Sequence, residues 1–262
     1  MTTLTVAAQD SSTMLGRELR HTIRYPMLLI GSMLVPVVFL LLFVYILGGP
    51  IAHGLGSAAR GAPYVDYLVP GILMMTVAAG TSTVAINVCL DATGGIIDRF
   101  RTMAISRGAL LAGPVGASVL RSLVTTSVVT GAALAVGFRP RASAWDWVAV
   151  AGIVVAFAIA LGWLSAAFGL VAKSVAGANS MTLPLQFLLP FLSSAFVPAD
   201  SMPAGIRWFA AHQPFTPVVE SLRALLTGAP VGNSAYLAVA WCAAITAAGY
   251  LWARTAFRRR GR

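Results

Sequence analysis

A chain of 262 residues that is 58% hydrophobic and 10% charged, with a mean hydropathy of +0.83, is excluded from the ordinary soluble domains, where roughly a quarter of residues are charged. Apolar runs longer than about 18 residues recur along it and predict membrane-crossing helices, not the short alternating segments of an outer-membrane barrel. The net charge of +10 sits beside those runs and at the C-terminus, so its expected counterpart is anionic lipid and not nucleic acid.

Residues 1–10 are polar, uncharged until Asp10, and expected to be disordered. They lack the basic start of a secretory signal and the first apolar run is too long for one, so no cleavage is expected. Residues 11–25 read as an amphipathic helix with Ser11 or Ser12 as N-cap: Leu15, Leu19 and Ile23 recur every four residues, opposite Arg17, Arg20 and Arg24. Such a helix either rests on lipid phosphates or meets a cytoplasmic partner. The first span is expected over residues 27–47, kinked at Pro36, with Gly48, Gly49 and Pro50 ending it. The second runs over residues 67–90, where Thr76, Thr81, Ser82, Thr83 and Asn87 suit helix packing, the alternative being a substrate contact.

Residues 91–111 are the densest polar interruption, with Asp91, Asp98, Arg99, Arg101 and Arg107. Ile96, Ile97, Phe100 and Met103 share one helical face, which predicts a short helix lying across the membrane surface. Two readings fit: a solvated loop whose arginines obey the positive-inside rule, or a docking element that receives force from a soluble partner.

The third span, residues 112–138, carries Arg121 about ten residues in, a charge that is costly unless it faces the bundle, a cavity or a snorkelling route, and that reads equally as a functional residue or as the partner of a structural carboxylate. Arg139, Pro140 and Arg141 form a loop, Trp145 and Trp147 mark an interface belt, and the fourth span follows over residues 147–172. The fifth, residues 179–197, contains Pro184, Gln186 and Pro190 and is expected to be bent or unwound. Residues 198–232 hold five prolines among apolar side chains. They read as two short helices dipping into the outer membrane boundary, with Glu220 and Arg223 spaced to pair. The last span covers residues 236–253, before a basic tail, Arg254, Arg258, Arg259, Arg260 and Arg262.

Six spans put both termini on one side, which then carries twelve basic residues against five, so the termini and the 91–111 loop are expected in the cytoplasm. Lys173 and Ser174 follow Ala172 without the glycine spacing of a phosphate-binding loop, so ATP is not expected to bind here by that route. No carboxylate lies mid-span, which disfavours proton-driven transport. Cys89 and Cys242 sit in apolar runs, and His21, His53 and His212 are isolated, so neither disulfide nor metal is expected.

Three stretches, YVDYLVPGILMMT (64–76), DATGGIIDRFRTMAISRGALLAG (91–113) and FLSSAFVPADSMPAGIRWFAAHQPFTPVVESLRALLTG (191–228), in this order and with this layout, resemble the membrane subunits of type-2 ABC exporters, the daunorubicin-resistance-like permeases. The resemblance implies an all-α membrane fold of six spans (26–253) in the plasma membrane, with an N-terminal connecting helix bearing Arg17, Arg20 and Arg24. It implies a cytoplasmic coupling helix in which Asp98, Arg99, Phe100, Arg101 and Arg107 dock on an ATPase, and extracellular re-entrant helices bearing Glu220 and Arg223. The partners implied are two copies of a separate ATPase subunit, which bind the ATP and Mg while this chain holds no cofactor, and a second or homologous permease. On that reading an amphiphilic drug, antibiotic or lipid-like substrate passes Met74, Met75, Thr76, Phe187 and Phe191, residues that core packing explains equally well. Where relatives often carry Arg and Asp early in the third span, this chain has Pro114 and Ser118, which leaves Arg121 without its usual neighbours. Export of a lipid or polysaccharide, or a non-transporting assembly or sensor role, are the alternatives.

Overall fold

The computed structural model describes residues 26–48, 64–94 and 107–259, and all regular structure among them is helical. Helix α1 (Pro26–Leu41) continues as a π-helical turn, Leu42–Leu47. Helices α2 (Tyr64–Ala79) and α3 (Thr81–Thr93) are interrupted only at Gly80 and together make a 30-residue span. Then come α4 (Arg107–Val136), α5 (Ala144–Val171), α6 (Val175–Leu183), α7 (Ala204–His212), α8 (Phe215–Thr227) and α9 (Ser234–Arg259).

Four of the described helical stretches are long and apolar enough to cross a bilayer: Tyr64–Thr93, Leu111–Val136, Ala144–Val171 and Ser234–Arg259. The stretch Met33–Ile46 is apolar but shorter. The boundaries move from those expected. Asp91 belongs to the second span, Arg107 already opens the third-span helix, and Arg254, Arg258 and Arg259 continue α9 as helix. The reason is that helical hydrogen bonding does not stop where hydrophobicity stops, so a span projects polar turns beyond the bilayer.

The expected break in the fifth apolar run is present. After α6 the chain makes a π-helical turn over Pro184–Leu188 and one last helical turn, Leu189–Phe191, then leaves the helix. Pro184 and Pro190 each remove a backbone donor, so the ladder cannot close through them. Two short helices follow, as the apolar residues of this segment predict, but they differ in kind. In α7 only Ala210 is buried, whereas α8 buries Phe215, Val218, Val219, Leu222, Leu225 and Leu226. Phe215 meets Phe157 of α5 edge-on at 4.9 Å, so α8 is part of the core, packed against α2, α5 and α9.

Close packing of the spans rests on small residues. A Cβ on Gly169 of α5 would lie 2.4 Å from the Ala85 carbonyl oxygen of α3, and one on Gly249 of α9 would lie 2.7 Å from the Leu164 backbone nitrogen of α5. Several hydroxyls inside the spans are spent locally, Thr76 donating to Ile72 O at 2.7 Å, Thr81 to Ala78 O at 2.6 Å, and Thr130 to Thr126 O at 2.7 Å, whereas the buried Ser165 hydroxyl of α5 has no partner among the described residues. Ser143 caps α5 in a reciprocal capping box with Asp146. Tyr45, Trp145, Trp208 and Tyr236, all exposed, fall at the end of the bundle where α1 finishes and α5 and α9 begin. Exposed amphipathic aromatics at helix ends are the pattern of a membrane boundary.

Candidate functional site

The broken span leaves backbone carbonyls without helical partners, and the surrounding elements supply the missing donors. Tyr67 on α2 donates its hydroxyl to Ser194 O at 2.9 Å, and Tyr64, one turn earlier, donates to Phe196 O at 3.2 Å. Gln213, between α7 and α8, donates its amide nitrogen to Leu189 O at 3.0 Å. Ser193 donates its hydroxyl to Pro190 O at 2.6 Å, and the Ser194 amide donates to the Thr216 hydroxyl at 3.2 Å. Irregular backbone at membrane depth is tolerated only when neighbours satisfy it in this way.

Arg223 of α8 is the centre of the junction. Its Nη2 donates to Ser194 O at 2.8 Å, its Nε donates to Tyr67 O at 3.2 Å, and its guanidinium carbon lies 3.7 Å over the Tyr67 ring. One cation therefore ties α8, the start of α2 and the end of the broken span, using both the fork of donors and the flat face that lysine lacks. Burial pushes the Arg223 guanidinium below its ordinary value, while Tyr67, Glu220 and Tyr64 push the other way. The helical spacing of Glu220 and Arg223 predicts a local pair, but Arg223 turns inward to the carbonyls and Glu220 is exposed. Desolvation explains the choice, because an inward-facing guanidinium must find fixed acceptors at its own depth.

Packing completes the junction. Phe196 stacks on Phe43 and on Phe191, both at 4.8 Å, and Phe191 meets Phe39 edge-on at 6.0 Å, which joins the broken span to α1. A Cβ on Gly71 would lie 2.7 Å from the Ala195 carbonyl oxygen, so only glycine lets α2 approach the unwound chain this closely. Two buried oxygens at the junction, Ser194 Oγ and Gln213 Oε1, have no hydrogen-bond partner among the described residues.

The residues singled out from sequence fall in different places. Arg17, Arg20, Arg24, Asp98, Arg99, Phe100 and Arg101 lie outside the described residues, and Arg107 is the first residue of α4. Met74, Met75 and Thr76 are buried inside this single chain's core, whereas Phe187 and Phe191 are exposed. The five therefore do not share one environment. Tyr64, Tyr67, Ser194 and Gln213 have no role assignable from sequence; the visible signals are the three-residue spacing of the tyrosines, Gln213 beside Pro214, and the Ser193–Ser194 pair shortly after Pro190.

Comparison with known proteins places the chain among transporters. The family model for ABC-2 type transporters matches residues 10–227. The chain is 29% identical over 227 residues to the daunorubicin resistance ABC transporter permease protein DrrB1 of Streptomyces coeruleorubidus, covering 85% of this chain and 76% of that protein. It is 26% identical over 219 residues to the probable doxorubicin resistance ABC transporter permease protein DrrC of Mycobacterium tuberculosis, covering 82% and 76% respectively.

Proposed function

The chain belongs to the ABC-2 type transporter family, and we propose that it is the membrane-spanning subunit of an ATP-driven exporter of an amphiphilic or hydrophobic compound. The observation that carries this reading is the family match over residues 10–227, together with relatives whose names describe permeases for daunorubicin and doxorubicin resistance. The energy source is a separate ATPase, two copies of which dock on a pair of permease chains in the plasma membrane. In this reading the chain crosses the membrane six times, with α1 and the broken α6 segment as the first and fifth crossings and both termini in the cytoplasm.

Force enters at the polar segment between α3 and α4. The described helices on either side are α3, which ends at Thr93, and α4, which starts at Arg107, so in this reading displacement of Asp98, Arg99, Phe100 and Arg101 by the ATPase is passed to both. The tight backbone approach of α3 to α5 at Gly169 supports transmission into a third. At the opposite end the displacement meets the junction held by Arg223, the place where helices are already interrupted and bending costs least. Export of the bound compound requires that end to open, and α7 and α8 move with it.

Co-purification tests the coupling. The permease co-expressed with its ATPase should form a complex whose hydrolysis rises with an amphiphilic cargo, and the double variant Arg99→Glu with Arg101→Glu should lose both association and stimulation. Unchanged association and stimulation in that variant would overturn the docking assignment. Failure of reconstituted vesicles to accumulate any of a panel of amphiphiles, despite an intact complex, would favour a non-transporting role.

A further inference from the structure

Between α4 and α5, near the loop that joins them, lies a partly open groove of about 280 Å³. Its walls are Leu123, Thr126, Thr130 and Leu134 on α4 and Trp147 and Val154 on α5, with Leu73 of α2 beneath. Gly131 leaves the space open, since a Cβ there would meet no atom within 4 Å. The hydroxyls on this wall do not ask for a polar occupant. Thr126 donates to Ser122 O at 2.6 Å, Ser127 to Leu123 O at 2.7 Å and Thr130 to Thr126 O at 2.7 Å. From Leu123 to Leu134 the wall runs along about 16 Å of helix, the length of a large part of one lipid chain.

The loop that closes the groove's end carries two exposed arginines, Arg139 and Arg141, on either side of Pro140. Their side chains make no hydrogen bond or ion pair with another described residue, although the Arg141 backbone amide is pinned to Leu226 O at 2.9 Å. Two nearby carboxylates are hydrogen-bonded to other groups and not to the arginine side chains: Asp66 accepts the Arg139 backbone amide at 3.3 Å, and Asp146 accepts the Ser143 hydroxyl and amide, each at 2.7 Å. Exposed Trp145 marks the interface beside them. We propose that this groove binds one anionic phospholipid, with an acyl chain between α4 and α5 and the headgroup phosphate at Arg139 and Arg141. The chemistry is that of basic pockets between membrane helices, which select a lipid by headgroup charge while the apolar wall holds the chain. The site is separate from the junction at Arg223 and does not depend on the transport reading.

The test uses the full chain in nanodiscs containing trace phosphatidylglycerol or phosphatidylcholine, each with a diazirine in one acyl chain, followed by peptide mapping after illumination. Phosphatidylglycerol should label the 123–154 region in preference to other lipid-exposed helices. Its advantage over phosphatidylcholine should fall by roughly fivefold for each of Arg139→Gln and Arg141→Gln. Filling the groove with Gly131→Trp should remove labelling there by either lipid. Ala151→Phe, on the opposite wall, does the same should the first variant fail to accumulate. Equal labelling by the two lipids in the native chain, or labelling spread evenly over every exposed span and unchanged by both groove-filling variants, would overturn the proposal.

Discussion

Replacing Arg223 with methionine tests the junction most directly, because the side chain keeps an unbranched apolar stem but loses the guanidinium and every donor. The native guanidinium makes two charge-assisted hydrogen bonds, at 2.8 Å and 3.2 Å, and stacks 3.7 Å over Tyr67. Hydrogen bonds inside membrane bundles average roughly 0.6 kcal/mol, those of charged donors in soluble proteins about 1.5–3 kcal/mol, and a cation–π contact about 0.5–2 kcal/mol. The loss is moderated by geometry: Ser194 O keeps the Tyr67 hydroxyl at 2.9 Å after Arg223 is gone. A destabilisation of about 2–4 kcal/mol follows, a fall in apparent Tm of roughly 5–12 °C for a chain of this size. Tyr67→Phe alone should cost about 1 kcal/mol, since Arg223 still reaches Ser194 O. The double variant strips that carbonyl of both donors, so its loss should exceed the sum of the single losses by about 1 kcal/mol. Thermal unfolding of the four proteins in the same lipid environment reads the cycle. A Tm shift below about 1 °C for Arg223→Met, or strictly additive effects of the two changes, would refute the shared-acceptor account.

Gly169→Ala should destabilise by about 1–3 kcal/mol, because its Cβ would sit 2.4 Å from Ala85 O and 2.9 Å from Val88 Cβ, and two backbones would have to separate; reduced Tm checks it. Gly131→Ala is the contrasting case: the space is empty, so it should be neutral or stabilise by up to about 1 kcal/mol through helix propensity. Gly228→Ala should cost about 1 kcal/mol, since Gly228 ends α8 in the left-handed region at φ 72°, and Gly228→Asn should recover part of the loss. Ser143→Ala should remove the capping box that starts α5 and lower stability by about 1 kcal/mol, with Ser143→Thr retaining most of it.

At the junction an interrupted helix is kept from exposing polar backbone by two tyrosines of α2 and by a glutamine and an arginine from residues 213–223. The same elements make the junction specific. Tyr64 and Tyr67 stack at 6.3 Å with their hydroxyls donated to two carbonyls of the unwound chain, Phe196 O and Ser194 O, on either side of Ala195. A helix in register with that chain is held firmly, and a helix displaced by one turn would lose both bonds together.

The apolar runs and their punctuation were readable in the residues alone, and so were the interrupted fifth run and the pair of short helices after it. Proline chemistry acts locally, and a run of 20 apolar residues needs no partner to declare itself. Which side of each helix meets protein and which meets lipid was decided only in three dimensions. Both environments are apolar, so periodicity carries no mark that separates buried Met74 and Met75 from exposed Phe187 and Phe191. The same holds for Arg223: spacing along its own helix points to Glu220, three residues away, but a desolvated cation takes the best fixed acceptors within reach. Those belong to residues 29 and 156 positions distant, and only the tertiary fold brings them there.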